Sequence, residues 1–323
     1  MRIVLGPLLV AAVLGSQAGR APDLTAARTS AAALPRLHSL LVSHRGQLVL
    51  EHYREPRFAR PSNVKSVSKS IISALVGIAI ERRLIPTVDT PIAHYFPELK
   101  SDRDARKRGI TIEDLLTMRQ GLESTSFDNY GSWVRSGNWV RYVLDRPMLA
   151  EPGTTVEYST GSTHLLSAIL TRVSRRSTWS FAQDALGSPL GIRIAQWPRD
   201  PQGIFFGGND MLLTPRQMLA FGELYLNGGR AHGRQVVPAA WVRTSCEGRG
   251  RSRFNPDQEY GYGWWIRDFA GEQGCFAWGY GGQYILVLPG RDLVIVTTSS
   301  TASGDEGRGH RRQIFELVEG MLR

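Results

Sequence analysis

Ser66-Val67-Ser68-Lys69-Ser70-Ile71-Ile72-Ser73-Ala74-Leu75-Val76-Gly77-Ile78-Ala79-Ile80 is the stretch on which the reading of this chain turns. From Ile71 to Ile80 apolar residues take most faces of a helix predicted over about Ser66–Arg83, so the helix is expected to lie buried between layers. A serine and a lysine stand at its start, three residues apart and so on one face. A hydroxyl is a poor nucleophile until a base takes its proton. Burial and the positive end of a helix both lower a lysine pKa. Lys69 is therefore a candidate base for Ser66, and the Ser66 N–H a candidate oxyanion donor. Ser62-Asn63-Val64-Lys65 has the same spacing. Ser66 is preferred because an unbroken apolar helix follows Lys69, whereas Ser62 follows Pro61 in a loop. Taken alone, the motif equally suits a capping serine and a surface lysine.

Upstream, His38–His44 and Gln47–Tyr53 around Arg45-Gly46 read as a β-hairpin. Residues 22–36 are Ala-rich and are expected to form a loose leader. Downstream, residues 91–225 read as helix and loop. Thr111-Ile112-Glu113-Asp114 opens a helix with a capping box. Thr163–Val173 is a second apolar helix, and Thr214-Pro215 starts a third that runs to about Leu226. Pro238–Trp241 begins a shorter one. The period then changes: Tyr260–Arg267, Cys275–Trp278, Tyr284–Leu288 and Leu293–Ser299 read as strands, and Arg308–Arg323 as a closing helix. Strands at both ends imply an α/β fold with one antiparallel sheet built from both chain ends, flanked by helices, with a mainly helical inserted region. The expected division is a sheet domain of residues 22–90 and 226–323 and a helical domain of residues 91–225.

With 323 residues, 42% hydrophobic and 21% charged, the chain can bury a proper core without disulfide or metal staples. The formal charge is +10, yet only Lys65, Lys69, Lys100 and Lys107 are lysines among 39 basic residues. The arginines are spread along the chain, which reads as a solvated surface, not a nucleic-acid track. Gly-x-Ser-x-Gly, His-Glu-x-x-His, Walker and Gly-x-Gly-x-x-Gly signatures are absent. No metal and no cofactor are expected. At the N-terminus Arg2, the apolar run Ile3–Gly15 and Ser16-Gln17-Ala18 read as a signal peptide of residues 1–21, or alternatively an uncleaved anchor. The run is short for a membrane span. A secreted or periplasmic protein is expected. Cys246 and Cys275 either pair or remain two buried thiols; their spacing does not decide.

Two further elements carry chemistry. Tyr158-Ser159-Thr160 follows the turn Glu151–Thr155, and a tyrosine beside an ammonium ionises more easily and can shuttle protons. Trp278-Gly279-Tyr280-Gly281-Gly282-Gln283 opens a strand whose glycines allow a substrate to approach the backbone closely. In this order, the three elements resemble the serine β-lactamase-like family: class C β-lactamases, penicillin-binding proteins, and related esterases and 6-aminohexanoate-oligomer hydrolases. Ser66–Lys69 is similar to its Ser-x-x-Lys, Tyr158–Thr160 to its Tyr-x-Asn, and Trp278–Gln283 to its Lys-Thr-Gly or His-x-Gly strand. Ile110–Met118 before Gly121-Leu122, and Leu213–Met218, agree as well. The resemblance spans about residues 38–320.

It implies that Ser66 is the acyl-forming nucleophile and that Lys69 and Tyr158 are the coupled base. The Ser66 N–H and one N–H from the Gly281, Gly282 and Gln283 strand would bind the oxyanion, with Thr160 and Tyr280 at the substrate. Two departures matter. Thr160 replaces an asparagine, and Tyr280 lies where a lysine is missing. A carboxylate-bearing substrate would lose its ammonium partner. An ester or simple amide, as a small-molecule acyl substrate, is therefore expected. The alternatives are a cell-wall D-Ala peptidase or β-lactamase of the same fold, and a catalytically silent ligand-binding relative. The pocket-wall candidates are Tyr130, Trp133, Trp139 and the Phe205-Phe206-Gly207-Gly208 loop.

Overall fold

The computed structural model describes residues 21–252, 255–302 and 306–323. The signal-like segment falls almost wholly outside them. The hairpin forms as β1 (Leu37–His44) and β2 (Gln47–Tyr53), and Arg45 and Gly46 turn it with positive φ of 53° and 73°. The C-terminal strands are β3 (Arg251–Ser252), β4 (Asn255–Tyr260), β5 (Trp265–Phe269), β6 (Glu272–Gly279), β7 (Gln283–Leu288) and β8 (Leu293–Ser299). They join the hairpin in one eight-stranded sheet of order β2-β1-β8-β7-β6-β5-β4-β3. Both termini thus meet at the β1–β8 seam, which is antiparallel with Leu41 opposite Val296.

The central strands are buried on both faces, and alternate side chains feed two cores. Leu41, Ile285, Val287, Val294 and Val296 point into one core. Leu40, Val42, Leu286, Leu288 and Ile295 point into the other. The first core holds α2 (Ser68–Glu81), α3 (Ile112–Leu116), α4 (Thr160–Ser174), α5 (Pro215–Leu226) and α6 (Ala239–Ser245). The second is covered by α1 (Leu24–Ala33) and α7 (Glu306–Leu322). Every residue of α2 from Ser68 to Ala79 is buried. This is the expected α/β architecture: a sheet from both chain ends, flanked by helices, with a helical region inserted. No helix among the described residues is long and apolar enough to cross a membrane.

Three local expectations are refined. Residues 22–36 are not a loose leader. Asp23 caps α1 by accepting N–H bonds from Thr25 and Ala26, and Ala27 and Ala31 are buried beside α7. An Ala-rich segment suits a helix whenever it finds a face to pack on. Tyr260–Arg267 is not one strand, because the chain breaks between β4 and β5 at Gly261–Trp264. There Gly263 (φ 77°) lies against α2, where a Cβ would stand 2.9 Å from the Lys69 carbonyl oxygen. Its own carbonyl accepts the Ser70 hydroxyl at 2.6 Å. Finally, Cys246 and Cys275 form a disulfide with Cα atoms 5.5 Å apart, joining the end of α6 to β6.

Candidate active site

The segment before α2 is shaped to expose one serine. Ser62-Asn63 pairs with Leu212-Leu213, and the Asn63 carboxamide oxygen accepts the Lys65 N–H at 2.8 Å. Lys65 adopts a left-handed φ of 53°, a 3-10 turn spans Lys65–Val67, and α2 begins at Ser68. Ser66 stands at this junction and lines a cavity of about 550 Å³. The rival motif has a structural role instead: Ser62 is a strand residue, and Lys65 Nζ lies 3.6 Å from the Asp210 carboxylate.

Lys69 is the second residue of α2 and is 2% exposed. Its Nζ donates to Ser66 Oγ at 3.0 Å, to the Gly208 carbonyl at 2.6 Å and to Thr160 Oγ1 at 3.3 Å. Burial drives its pKa down to about 7, with the Asp210 charge acting in the opposite direction. Nζ also stands 4.9 Å from the centre of the Tyr158 ring. The Tyr158 phenol behaves differently from the sequence expectation. Burial against Tyr260 and Trp265 raises its pKa well above the ordinary value, and the Ser66 side chain only partly offsets this. The resting phenol therefore keeps its proton, whereas Lys69 gains and loses its proton around neutral pH.

A ladder of hydroxyls holds the second element. Ser124 Oγ donates to the Tyr158 carbonyl at 2.7 Å, and Thr125 Oγ1 meets Ser159 Oγ at 3.1 Å. Ser126 Oγ meets Thr160 Oγ1 at 2.8 Å and accepts the Thr160 N–H at 2.9 Å. Thr160 thereby links Lys69 to Ser126. Ser126 was not anticipated; the run Ser124-Thr125-Ser126 has no spacing that marks chemistry, and its partners are 34 residues away.

The cavity brings together Ser66, Tyr158, Thr160 and Tyr280 from the candidate residues, with Lys69 bonded behind Ser66. Trp278 lines it as well, but Gly281, Gly282 and Gln283 do not. Positive φ values of 88° and 107° at Gly281 and Gly282 fold this turn back toward the end of β8, and the Gly282 N–H is used by the Gly279 carbonyl at 3.3 Å. Gln283 is buried, bonding both the carbonyl (2.8 Å) and the N–H (3.1 Å) of Ser299. The residues of this element that reach the cavity are thus Trp278 and Tyr280. Of the wall candidates, Tyr130 lines the cavity, while Trp133, Trp139, Phe205 and Phe206 are core residues. Ser126, Phe127, Asn209, Ser252 and Trp265 complete the lining; Asn209 donates to the Tyr130 hydroxyl at 2.9 Å. None of the described lining residues is charged. Among the described residues, no three His, Cys, Asp or Glu side chains converge as a metal site would need.

Comparison with known proteins agrees with this geometry. A family model described as Beta-lactamase matches residues 36–319. The 6-aminohexanoate-dimer hydrolase of Paenarthrobacter ureafaciens is 26% identical over 302 residues, covering 85% of this chain and 76% of the relative. Among solved structures, EstCE1, a hydrolase with promiscuous acyltransferase activity, superposes with a TM-score of 0.73 at 18% identity, covering 92% of this chain and 98% of its own. The class C β-lactamase of Rhodobacter sphaeroides gives 0.70 at 19% identity, covering 93% and 100%. With a family match across nearly the whole sheet and helical region, the chain belongs to the β-lactamase family of serine hydrolases.

Proposed function

We propose that the protein is an exported serine hydrolase that cleaves an ester or simple amide through an acyl-enzyme on Ser66. The observation that carries this reading is Lys69 Nζ at 3.0 Å from Ser66 Oγ, with its ammonium driven down to about 7. A hydroxyl needs a base within hydrogen-bond reach and with a pKa near the working pH. As Ser66 Oγ bonds the acyl carbon, its proton passes to neutral Lys69. The N–H groups of Ser66 and Tyr280 receive the oxyanion. Collapse expels the alcohol or amine, which takes a proton through the Tyr158 hydroxyl, recharged by Lys69. Water then attacks the acyl–Ser66 ester by the same groups in reverse, releasing the acid and restoring the serine.

The uncharged described lining favours a neutral substrate over a carboxylate-bearing cell-wall peptide or β-lactam. The hydrolases among the similar proteins support acyl transfer to water. Export rests on the N-terminal sequence pattern. The test is hydrolysis of p-nitrophenyl butyrate together with labelling by a fluorophosphonate probe. Ser66→Ala should lose on the order of 10³-fold or more in kcat/KM, and the label should map to Ser66. Undiminished activity, or a label elsewhere, would overturn the assignment. Stable acylation by a penicillin without ester turnover would favour the cell-wall alternative.

A further inference from the structure

We propose that His164 and Asp200, neither of which touches the cavity, form a buried dyad that positions the base by fixing the Gly208 carbonyl against Lys69. The proposal rests on the reading of Lys69 given above. Both side chains are fully buried, and His164 Nε2 lies 3.0 Å from Asp200 Oδ2. The other ring nitrogen, Nδ1, accepts the Gly207 N–H at 3.4 Å. A ring nitrogen that accepts an N–H carries no proton, so the ring proton sits on Nε2 and is donated to Asp200. A carboxylate bonded to one ring nitrogen commonly sets the role of the other.

Asp200 is held in turn by its own loop. Its Oδ1 accepts the N–H groups of Gln202 at 2.9 Å and Ile204 at 2.8 Å. The dyad therefore ties both ends of the Asp200–Gly208 loop to α4. The fit leaves no slack: a Cβ on Gly207 would stand 2.2 Å from the Thr163 carbonyl oxygen, and one on Gly208 would stand 2.6 Å from that of Thr160. His164 lies one turn after Thr160 on the same helix. One helix thus presents Thr160 Oγ1 to Lys69 directly and, through His164 and Gly207, holds the carbonyl that Lys69 meets at 2.6 Å. The mechanism has no other use for a buried His–Asp pair at this place. His164 is a positioning residue, since it touches neither substrate nor the reacting atoms.

The consequence is measurable on Lys69 itself, without substrate. A carbonyl acceptor favours the ammonium form, so a loosened Gly208 carbonyl lowers the lysine pKa further. The other groups acting on Nζ, namely Ser66, Thr160, Tyr158 and the Asp210 charge, are untouched by a change at His164. His164→Phe suits the site sterically, because the ring already packs among Trp133, Trp139 and Phe206, but it can neither accept from Gly207 nor donate to Asp200. With only four lysines in the chain, ¹³C-lysine NMR can follow Lys69 through a pH titration. We expect His164→Phe to shift its proton equilibrium about tenfold toward the neutral amine, that is, about one pH unit downward. Asp200→Asn, which keeps the imidazole, should shift it less in the same direction. An unmoved or raised Lys69 pKa in folded variants overturns the proposal. Wild-type protein gives a reading that does not depend on any variant folding. ¹⁵N-histidine spectra must show Nδ1 of His164 without a proton and Nε2 with one; the reverse tautomer refutes the dyad. Because none of these readouts uses turnover, a failure of the hydrolase assignment would show separately, in the Ser66 assays.

Discussion

Replacing Lys69 by methionine should stabilise the protein, and the gain should shrink as pH rises. Burial lowers the Lys69 pKa from 10.5 to about 7. At about 1.4 kcal/mol per unit, roughly 5 kcal/mol of protonation free energy is withheld from the folded state. The sign follows from proton counting. Between pH 7 and 10.5 the unfolded chain binds a proton at Lys69 that the folded protein does not, so wild-type stability rises with pH across that window. Below about 7 both states are protonated and the whole penalty is present. Methionine fills a similar volume and carries no such term. It leaves the Gly208 carbonyl without its 2.6 Å donor, at a pH-independent cost of about 1–3 kcal/mol. The variant should therefore be the more stable protein at pH 6 by about 2–4 kcal/mol, and its advantage should fall by about 2 kcal/mol between pH 7 and pH 9. Urea unfolding of both proteins with the disulfide intact, followed by tryptophan fluorescence at pH 6, 7, 8 and 9, measures this directly. Other titrating groups cancel in the difference. A stability gap that stays flat across the four pH values would refute a depressed Lys69 and, with it, the base assigned to Ser66.

The same pKa governs the rate: kcat/KM for p-nitrophenyl butyrate should rise with pH about a midpoint near 7, and no alkaline limb should come from Tyr158 below about 10, since burial raises that phenol; a profile flat from pH 5 to 8 would contradict this. Asp210→Asn removes the charge that raises Lys69 while retaining a side chain able to accept from Asn63, and asparagine tolerates the φ of 65° at this position; the acidic midpoint should move down by a few tenths of a unit, and a move up would be the wrong sign. Replacing both Cys246 and Cys275 by alanine opens a link across 29 residues and should cost about 3–4 kcal/mol in urea unfolding on the chain-entropy model, with the fold retained.

What could be read in advance was whatever announced itself locally. Ile71–Ile80 is apolar on most faces, so a buried helix followed directly, and the base at its start inherited that burial. The hairpin at Arg45-Gly46 and the strands near the C-terminus were visible through turn residues and β-branched runs, and a sheet closed by both ends was the economical arrangement. The rest depends on contacts that no local pattern encodes. Ser126 matters because Thr160, 34 residues on, folds against it. Asn209 reaches the cavity because the Gly207-Gly208 backbone packs flat on α4. The strand expected through Tyr260–Arg267 breaks because Gly263 must approach α2, a tertiary demand with no trace in the period of the strand. The Gly281–Gln283 turn carries the glycines expected of a substrate strand, yet their positive φ values are spent on turning the chain back to β8.

The missing lysine of the third motif bears on more than carboxylate recognition. A second ammonium near Lys69 would hold its pKa down by charge repulsion. Here desolvation alone does so, against the opposing field of Asp210. The two means have different requirements. A repelling charge works in a wet site, whereas desolvation works only while water is excluded from Nζ. That requirement explains why Lys69 is enclosed on every side by groups held in turn by other buried groups: Thr160 by Ser126, the Gly208 carbonyl by its packing on α4, Tyr158 by Tyr260 and Trp265. It also restricts the substrate. A bound carboxylate beside Ser66 would add a negative charge without a cation on the described walls to balance it, and would push Lys69 back toward the ammonium form. A neutral ester or amide leaves the base intact, so the uncharged described walls and the dry amine favour the same class of substrate.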